Sequence, residues 1–375
     1  MLLIKTQRDT LLNPLQAVTG IVERRHTLPI LSNVLIERKE QHIHFVATDL
    51  EIQITASATI EAAEENALKN EENYSVTVAA KKLQEILRSF PEETSVILDA
   101  EENRLQIKVG KSRFNLQTLP AADFPKLAEN KEYLTKLTLK QNQLKSMLLL
   151  VQYAMAQQDI RYYLNGLLLI AENNLLKVVA TDGHRLAYAS TQMETSSEKN
   201  EVILPRKAVL ELTRQLQDND DPVSIEILQN QVRFLFSNIV LVSKVVDGKF
   251  PDYTRVIPVG HQKIIDLDRV AFLQSLQRAA ILSNEKFRGV RLILTKDNLR
   301  IVCSNNEQEE AQEELVIQYD DAALDIGFNI TYLLDVLTNL DCKNVRCAFG
   351  DANSSALMTI PGNDDFKYVV MPMRI

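Results

Sequence analysis

The sequence predicts an α+β fold made of three similar modules, each with antiparallel strands and two helices. Three observations support this prediction: the length of 375 residues, a sequence pattern that recurs at fixed offsets, and helical and strand-like periodicities that return in the same order around it. A chain of this length is too long for one ordinary core and long enough for two or three.

The repeated pattern is clearest between the first and second copies. LPILSNVLI aligns with YYLNGLLLI so that Leu31 falls on Leu164, and the same offset of 133 places ATDLEI on ATDGHR. A fainter third copy, FRGVRLIL followed by VCSNNE, aligns with the second at an offset of 123 and puts Asn305 on Asp182. One offset serving two separate matches indicates duplicated modules and not chance similarity.

Each copy lies between two predicted helices. Apolar residues spaced for one helical face precede the copies, namely Leu11, Leu15, Val18 and Val22, then Leu144, Leu148, Val151 and Met155, then Leu273, Leu276 and Ala280. The segments AAKKLQEILRSF, PRKAVLELTRQL and NITYLLDVLTNL follow the copies as second helices. Period-two alternation, as in Leu105, Ile107 and Val109, predicts half-buried strands around them.

The module boundaries follow from polar stretches. Residues 126–136 and 258–266 are the expected joints, which gives modules at 1–132, 133–262 and 263–375. The polar stretches 62–73 and 191–200 are expected to be surface insertions between strands.

Composition excludes several classes of protein. A hydrophobic fraction of 45% with 25% charged residues is typical of a globular protein. No apolar run reaches the roughly 18 residues of a membrane helix, and the N-terminus lacks signal-peptide features, so we expect a cytoplasmic protein. Cys303, Cys342 and Cys347 are an odd number without a zinc-ligand spacing, which predicts free thiols and no metal or other cofactor.

The charge distribution is less simple than the net charge of -8. In the helix from Pro205, a helical wheel separates the apolar residues from Arg206, Lys207 and Arg214. The helix from Ala79 likewise places Leu83, Ile86, Leu87 and Phe90 opposite Lys81, Lys82 and Arg88. One such stripe is usually a solvated face, but its repetition in an acidic protein indicates a positive surface suited to a phosphate backbone. No base-reading motif accompanies it.

Longer stretches point to a known family. RRHTLPILSN, SRFNLQTLPAADFP, QQDIRYYLNG, VATDGHRLA, KVVDGKFPDYTRV and YVVMPMRI, with others between them, resemble the bacterial DNA polymerase III beta subunits, the sliding clamps, from end to end. The resemblance implies the DNA clamp fold, in which two three-module subunits close head to tail into a six-module ring. It implies a homodimeric processivity factor that encircles duplex DNA without sequence specificity.

The resemblance also implies partners and site residues. Short linear peptides of the replicative polymerase catalytic subunit, the clamp loader, translesion polymerases and mismatch-repair proteins would enter a groove between the second and third modules. The implied groove residues are Arg161, Leu164, Thr181, Gly183, His184, Arg185, Leu186, Pro251, Arg255, Val256, Val369, Met371, Pro372, Met373 and Arg374. The implied DNA-facing residues are Arg24, Arg25, Lys81, Gln158, Tyr162, Tyr163, Arg206 and Lys207, and His26 departs from the family pattern beside them. The implied dimer interface joins Phe114, Leu116, Lys82, Arg104, Lys111 and Arg113 to Ile281, Leu282, Glu307, Glu309, Glu310 and Glu313.

Several of these residues also suit different roles. Leu164, Leu186 and Val369 occupy strand positions and would serve equally well as core residues. The basic helices alone would suit a non-ring architectural DNA-binding protein. Asp182 and His184 would suit the acid/base pair of a hydrolase. The repeat argues against the hydrolase, because the counterparts of Asp182 are Asp49 and Asn305, which indicates a capped turn.

Overall fold

A computed structural model describes residues 2–23, 28–60, 74–101, 103–128 and 132–375 of the chain. Within these ranges six α-helices lie where the sequence predicts them: α1 (Arg8–Val18), α2 (Ala80–Arg88), α3 (Gln141–Val151), α4 (Arg206–Gln215), α5 (Arg269–Ala280) and α6 (Ile330–Asn339). Two helices therefore accompany each repeat, and the α+β class is confirmed. Among the described residues, no helix is long and apolar enough to span a bilayer.

The strands of the described residues form three antiparallel sheets. In chain order they are β1 (Leu2–Gln7), β2 (Asn33–Lys39), β3 (His42–Thr48), β4 (Ile52–Thr59), β5 (Tyr74–Ala79), β6 (Ser95–Glu101), β7 (Arg104–Val109), β8 (Ser112–Leu119), β9 (Thr135–Lys140), β10 (Gly166–Thr181), β11 (Arg185–Pro205), β12 (Pro222–Ile227), β13 (Gln231–Phe236), β14 (Ile239–Lys244), β15 (Lys263–Asp268), β16 (Gly289–Thr295), β17 (Asn298–Ser304), β18 (Glu310–Val316), β19 (Leu324–Asn329), β20 (Asn344–Phe349), β21 (Ala356–Ile360) and β22 (Asn363–Val370).

One compact unit comprises Met1–Asn142 and Arg214–Val245. Its twelve-stranded sheet runs β1-β6-β7-β8-β5-β2-β3-β4-β14-β13-β12-β9, so β4 of the first predicted module pairs with β14 of the second. Leu241 stands opposite Ile54 in that pair. The alternating residues Leu105, Ile107 and Val109 of β7 are buried, as the period-two pattern predicts.

The other compact unit comprises Gln143–Thr213 and Val246–Ile375. It holds a six-stranded sheet, β10-β11-β22-β21-β20-β15, and a four-stranded sheet, β18-β17-β16-β19. Leu186 on β11 stands opposite Val369 on β22, which joins strands of the second and third predicted modules. Sheets thus continue from one predicted module into the next, and the boundaries at 132 and 262 stay a prediction.

Two expectations about local structure were wrong. In α5 the buried apolar residues are Phe272, Leu276 and Ala279, whereas Leu273 and Ala280 are only half-buried. The predicted helical face was therefore displaced by one position at two of its three residues. Residues 191–200 are not a loop insertion, because they belong to β11 and pair with β10 through Thr191 opposite Leu176 and Asn200 opposite Ala171. The other expected insertion, 62–73, lies outside the described residues.

Helix ends also differ from the predicted periodicity. Val22 and Met155 are buried as expected, but α1 ends at Val18 and α3 ends at Val151, so both residues lie beyond their helices. A short 3-10 turn follows each of these two helices, at Thr19–Ile21 and at Gln152–Ala154. The helical spacing of buried apolar residues therefore continues beyond the end of the α-helix, into a last turn that has the tighter 3-10 geometry.

Candidate functional site

A capped turn joins β10 to β11. The hydroxyl of Thr181 donates to the carbonyl of Arg185 at 2.6 Å. The Asp182 Oδ1 accepts from the amides of His184 at 2.9 Å and Arg185 at 3.1 Å. In the first module Asp49 accepts in the same way from the amides two and three residues further on, at 3.0 and 2.8 Å. The repeated polar residue is therefore a turn cap, as the sequence alignment predicts.

The same bonds argue against a catalytic Asp182 and His184 pair. Asp182 uses one carboxylate oxygen on two backbone amides and the other on Arg185 Nε, at 3.1 Å. In the third module Asn305 takes the equivalent position and accepts from the amide of Glu307 at 3.0 Å. A general base must reach a proton on its partner or substrate. Here the carboxylate is committed to holding the turn.

Arg185 links this turn to α6. Its guanidinium donates to the Asp335 carboxylate at 2.6 Å and to the carbonyl of Tyr153 at 2.7 Å. The guanidinium carbon also lies 4.4 Å from the ring centroid of Tyr332, in cation–π geometry. Burial disfavours the charged form of Arg185, but nearby Tyr368, Asp335 and Asp182 outweigh that effect and raise its pKa. The residue is a fixed cation inside the site.

An apolar cluster forms the floor beside the turn. Leu186 and Val369 are 2% and 1% exposed and pack with Phe250 and with apolar residues of β10 and β11. Leu164 is 1% exposed. These three residues therefore belong to the core. Leu186 and Val369 lie on strands as predicted, but the strand position predicted for Leu164 was wrong, because this residue ends the short 3-10 turn Tyr162–Leu164. A ligand would reach them only from the exposed rim.

The rim consists of the more accessible members of the predicted groove. Met371 is 47% exposed and Val256 is 43% exposed, and each is a large apolar side chain open to solvent. Exposed or half-buried around them are Gly183, His184, Pro251, Arg255, Pro372, Met373 and Arg374. Thioether side chains adapt to apolar partners of different shape. The structure thus brings an apolar floor and an adaptable rim into one unit.

The C-terminal tail is held by its backbone. The Met371 amide donates to the carbonyl of His184 at 2.9 Å, and the Met373 amide donates to the carbonyl of Gly327 at 2.8 Å. A Cβ on Gly327 would come within 2.5 Å of the backbone carbonyl oxygen of Met373, so glycine is needed for this close approach. Hydrogen bonds to both the turn and β19 fix the tail at the rim.

Arg161 also contacts the turn. Its guanidinium pairs with Asp159 at 2.8 Å and donates to the carbonyl of Asp182 at 3.3 Å. Hydrogen bonds from Arg161 lower the pKa of Asp159 to about 2. Gly183 has φ +89°, and a Cβ there would be 3.1 Å from the Arg161 guanidinium. Glycine therefore adopts this left-handed conformation without strain and leaves space for this arginine.

A polar cavity of about 540 Å³ adjoins the turn within the same unit. Its walls carry three arginines and three aspartates, with His184 and aromatic residues between them: Arg161, Arg185, Arg206, Asp159, Asp182, Asp335, Tyr153 and Tyr332 among others. Sequence reasoning did not select Asp159, Tyr332 or Asp335. The signal for Asp335 was a single carboxylate in the apolar helix segment NITYLLDVLTNL.

The residues assigned to DNA by resemblance differ in their exposure to solvent. Gln158 is exposed, Tyr162 is 57% exposed, and Tyr163 packs against the apolar cluster. Lys81 and Lys207 are half-buried on their helices, and Arg206 is half-buried with its guanidinium donating to the carbonyl of Met155 at 3.1 Å. Arg24, Arg25 and His26 lie outside the described residues.

The two predicted dimer surfaces lie on different strands. Phe114 and Leu116 are half-buried on β8, and the implied basic residues Lys82, Arg104, Lys111 and Arg113 are exposed. Ile281 is 76% exposed just after α5, Leu282 is half-buried, and Glu307, Glu309 and Glu310 are exposed. Glu313 differs, because its carboxylate already accepts from Arg278 Nε of the same chain at 2.9 Å. To join the dimer interface, the Glu313 carboxylate would have to accept from a basic residue of the second subunit in addition to Arg278.

Repeated modules in which the candidate catalytic aspartate is committed to capping a turn define a structural scaffold and not a catalytic site. Comparison with family models is specific: the N-terminal, central and C-terminal domains of the DNA polymerase III beta subunit match residues 2–128, 138–252 and 254–374. The chain belongs to this family, the beta sliding clamps. It is a processivity factor and not an enzyme, as the sequence predicts.

Individual relatives agree over nearly the whole chain. A beta sliding clamp of Pseudomonas putida KT2440 is 46% identical over 370 residues, covering 98% of this chain and 99% of that protein. The beta sliding clamp of Escherichia coli K12 is 42% identical over 369 residues, with the same coverage. A crystal structure of a Pseudomonas aeruginosa DnaN sliding clamp bound to griselimycin has a TM-score of 0.94 at 45% identity, covering 99% of both chains. The Caulobacter crescentus pol III beta structure has a TM-score of 0.90 at 36% identity and the same coverage.

Proposed function

We propose that two copies of this chain close head to tail around duplex DNA and hold a replicative polymerase and other replication and repair proteins through the apolar groove. The observation that carries the ring is a pair of open strand edges. On the β5 side, β8 pairs only through Leu119 and Thr118, so its residues 112–117 have no neighbour there among the described residues. β18 is an edge strand of its sheet.

Open edges of this kind invite pairing with another chain. The edge at β8 carries Lys111 and Arg113, and the edge at β18 carries Glu310 and Glu314, so the charges are complementary. A head-to-tail contact needs two different surfaces that match each other. The apolar residues Phe114, Leu116, Ile281 and Leu282 would supply most of the association, because exposed ion pairs add little.

The ring is tested by topology. The protein loaded by its clamp loader onto nicked circular DNA should stay bound through gel filtration and should slide off after the circle is cut once. Non-specific contacts through residues such as Lys81 and Lys207 are enough for this, since retention depends on closure and not on affinity. Retention on linear DNA with open ends would instead favour the architectural DNA-binding protein.

The interface is tested by Ile281→Asp. A charge placed on this exposed apolar residue should dissociate the dimer in sedimentation at micromolar concentration, because it must be desolvated on association. Val259→Asp is the matched control, since Val259 is also exposed, at 91%, but lies outside the proposed interface. Dimers of equal strength in both variants would contradict the assignment.

The groove is tested by removing the tail. Deletion of Met371–Ile375 should abolish binding of polymerase-derived apolar peptides in fluorescence polarisation and leave the dimer intact. The reason is that Met371 forms the rim while the dimer surfaces lie elsewhere in the sequence. Full peptide affinity after deletion would contradict the groove.

The family's role in replication also supports a cytoplasmic location for the protein.

A further inference from the structure

The polar cavity beside the turn contains one arginine whose charge is not balanced. Arg161 pairs with Asp159 at 2.8 Å, and Arg185 pairs with both Asp182 and Asp335. Arg206 has no carboxylate partner among the described residues. Its guanidinium makes one hydrogen bond, to the backbone carbonyl of Met155 at 3.1 Å. Four of its five N–H donors therefore remain available.

The surroundings of Arg206 make this imbalance unfavourable. The side chain is half-buried on the wall of the cavity of about 540 Å³. Burial lowers its pKa, and the positive charge of Arg185 lowers it further, with no carboxylate acting in the opposite direction. A partly desolvated cation next to a like charge is stabilised when an anion arrives. The flat guanidinium fork fits a carboxylate through two parallel hydrogen bonds.

The charges around the cavity select among anions. Its walls also carry Asp159, Asp182 and Asp335, which would repel a run of phosphates passing over them. A single carboxylate reaching Arg206 avoids most of that repulsion. The cavity shares Arg161, His184 and Arg185 with the proposed groove, so a peptide lying there has a side chain within reach of it.

We propose that this cavity is an accessory subsite in which Arg206 binds the carboxylate of an acidic residue flanking the apolar segment of a partner peptide. The proposal rests on the groove function given above. It assigns Arg206 to peptide recognition, whereas the family resemblance assigns it to DNA.

The test uses the full-length protein and one synthetic apolar peptide of the kind proposed to enter the groove. Glutamate is placed at each flanking position in turn, and each peptide has a glutamine counterpart of the same shape. At one position glutamate should bind about tenfold more tightly than glutamine, as expected for one charge-assisted bidentate bond. Arg206→Gln should remove this preference, and Arg206→Lys should keep part of it because the charge remains.

Lys207→Gln is the matched control, because it removes the same charge from the adjacent residue, which does not line the cavity. It should leave the glutamate preference unchanged. Thermal unfolding of each variant confirms that it is folded. Equal binding of every glutamate and glutamine pair to the native protein overturns the subsite while the groove stands. Failure of every peptide to bind overturns the groove itself. If Arg206→Gln weakens duplex DNA binding but keeps the glutamate preference, Arg206 serves DNA and the proposal is wrong.

Discussion

Replacing Asp335 with asparagine should measure how strongly Arg185 ties α6 to the turn between β10 and β11. The substitution keeps the size and one acceptor oxygen but removes the charge facing the guanidinium at 2.6 Å. Two unit charges about 4 Å apart interact by roughly 4 kcal/mol at an effective dielectric of 20. That figure is an upper limit, because the Asp335 side chain is 35% exposed and Asp182 remains as a second partner. We expect the free energy of unfolding to fall by about 1 to 2 kcal/mol.

The measurement is urea unfolding at one fixed protein concentration, because dimerisation adds concentration-dependent stability. Asp266→Asn is the matched control, since Asp266 makes a similar 2.8 Å pair with Arg346 but both side chains are over 40% exposed. That surface substitution should lower the stability by less than about 0.5 kcal/mol. If Asp335→Asn destabilises no more than Asp266→Asn, the buried arginine does not link the two elements.

Two further predictions concern the turn and the thiols. Gly183→Ala should lower the free energy of unfolding by about 1 to 2 kcal/mol, since it adds left-handed strain and displaces the Arg161 guanidinium. Gly110→Ala, also at positive φ but with nothing within 4 Å of its Cβ, should show the strain alone, and equal losses would refute the contact with Arg161. Burial raises the pKa of Cys303 to about 11 and that of Cys347 to about 12. At pH 8 neither should react with a thiol reagent until urea is added, and rapid labelling of the native protein would contradict this.

Much of the fold could be predicted from the sequence because the duplicated modules repeat the same motifs at fixed offsets. The offset that places Leu31 on Leu164 also placed the capped turn, and the cap was then found in all three modules. The helical face of α5 was displaced because Phe272 and Leu273 are adjacent apolar residues. Spacings of three then four and of four then three describe a helical face equally well. Only packing decides between them.

The long hairpin of β10 and β11 could not be predicted for a different reason. Residues 191–200 read TQMETSSEKN, which has no alternation of apolar and polar residues. Their strand structure comes from backbone pairing with β10, which leaves no hydrophobic period to detect. The continuity of sheets between modules was also invisible, because pairing partners such as Ile54 and Leu241 are far apart in sequence.

The candidate site also combines features that the sequence predicts with features that only the folded chain shows. Resemblance supplied the groove residues, but the role of Arg185 depends on Asp335, which is 150 positions away in the chain. Charge patterns on one helix placed Arg206 on a basic stripe. In the folded chain, however, Arg206 is half-buried and forms part of the wall of the polar cavity. Three-dimensional neighbours, and not helical wheels, determine whether a charge is balanced.

The turn cap offers a view of how such a chain diversifies after duplication. Leu50 and Gly183 occupy the same position in their copies and have nearly the same backbone angle, with φ of 78° and 89°. The bonds from the preceding threonine and aspartate hold the loop in both cases, so the residue at this position does not decide whether the turn forms. The first copy keeps the turn with leucine at this left-handed position, where a side chain adds strain. The second copy has glycine there, which removes that strain and leaves space for the guanidinium of Arg161.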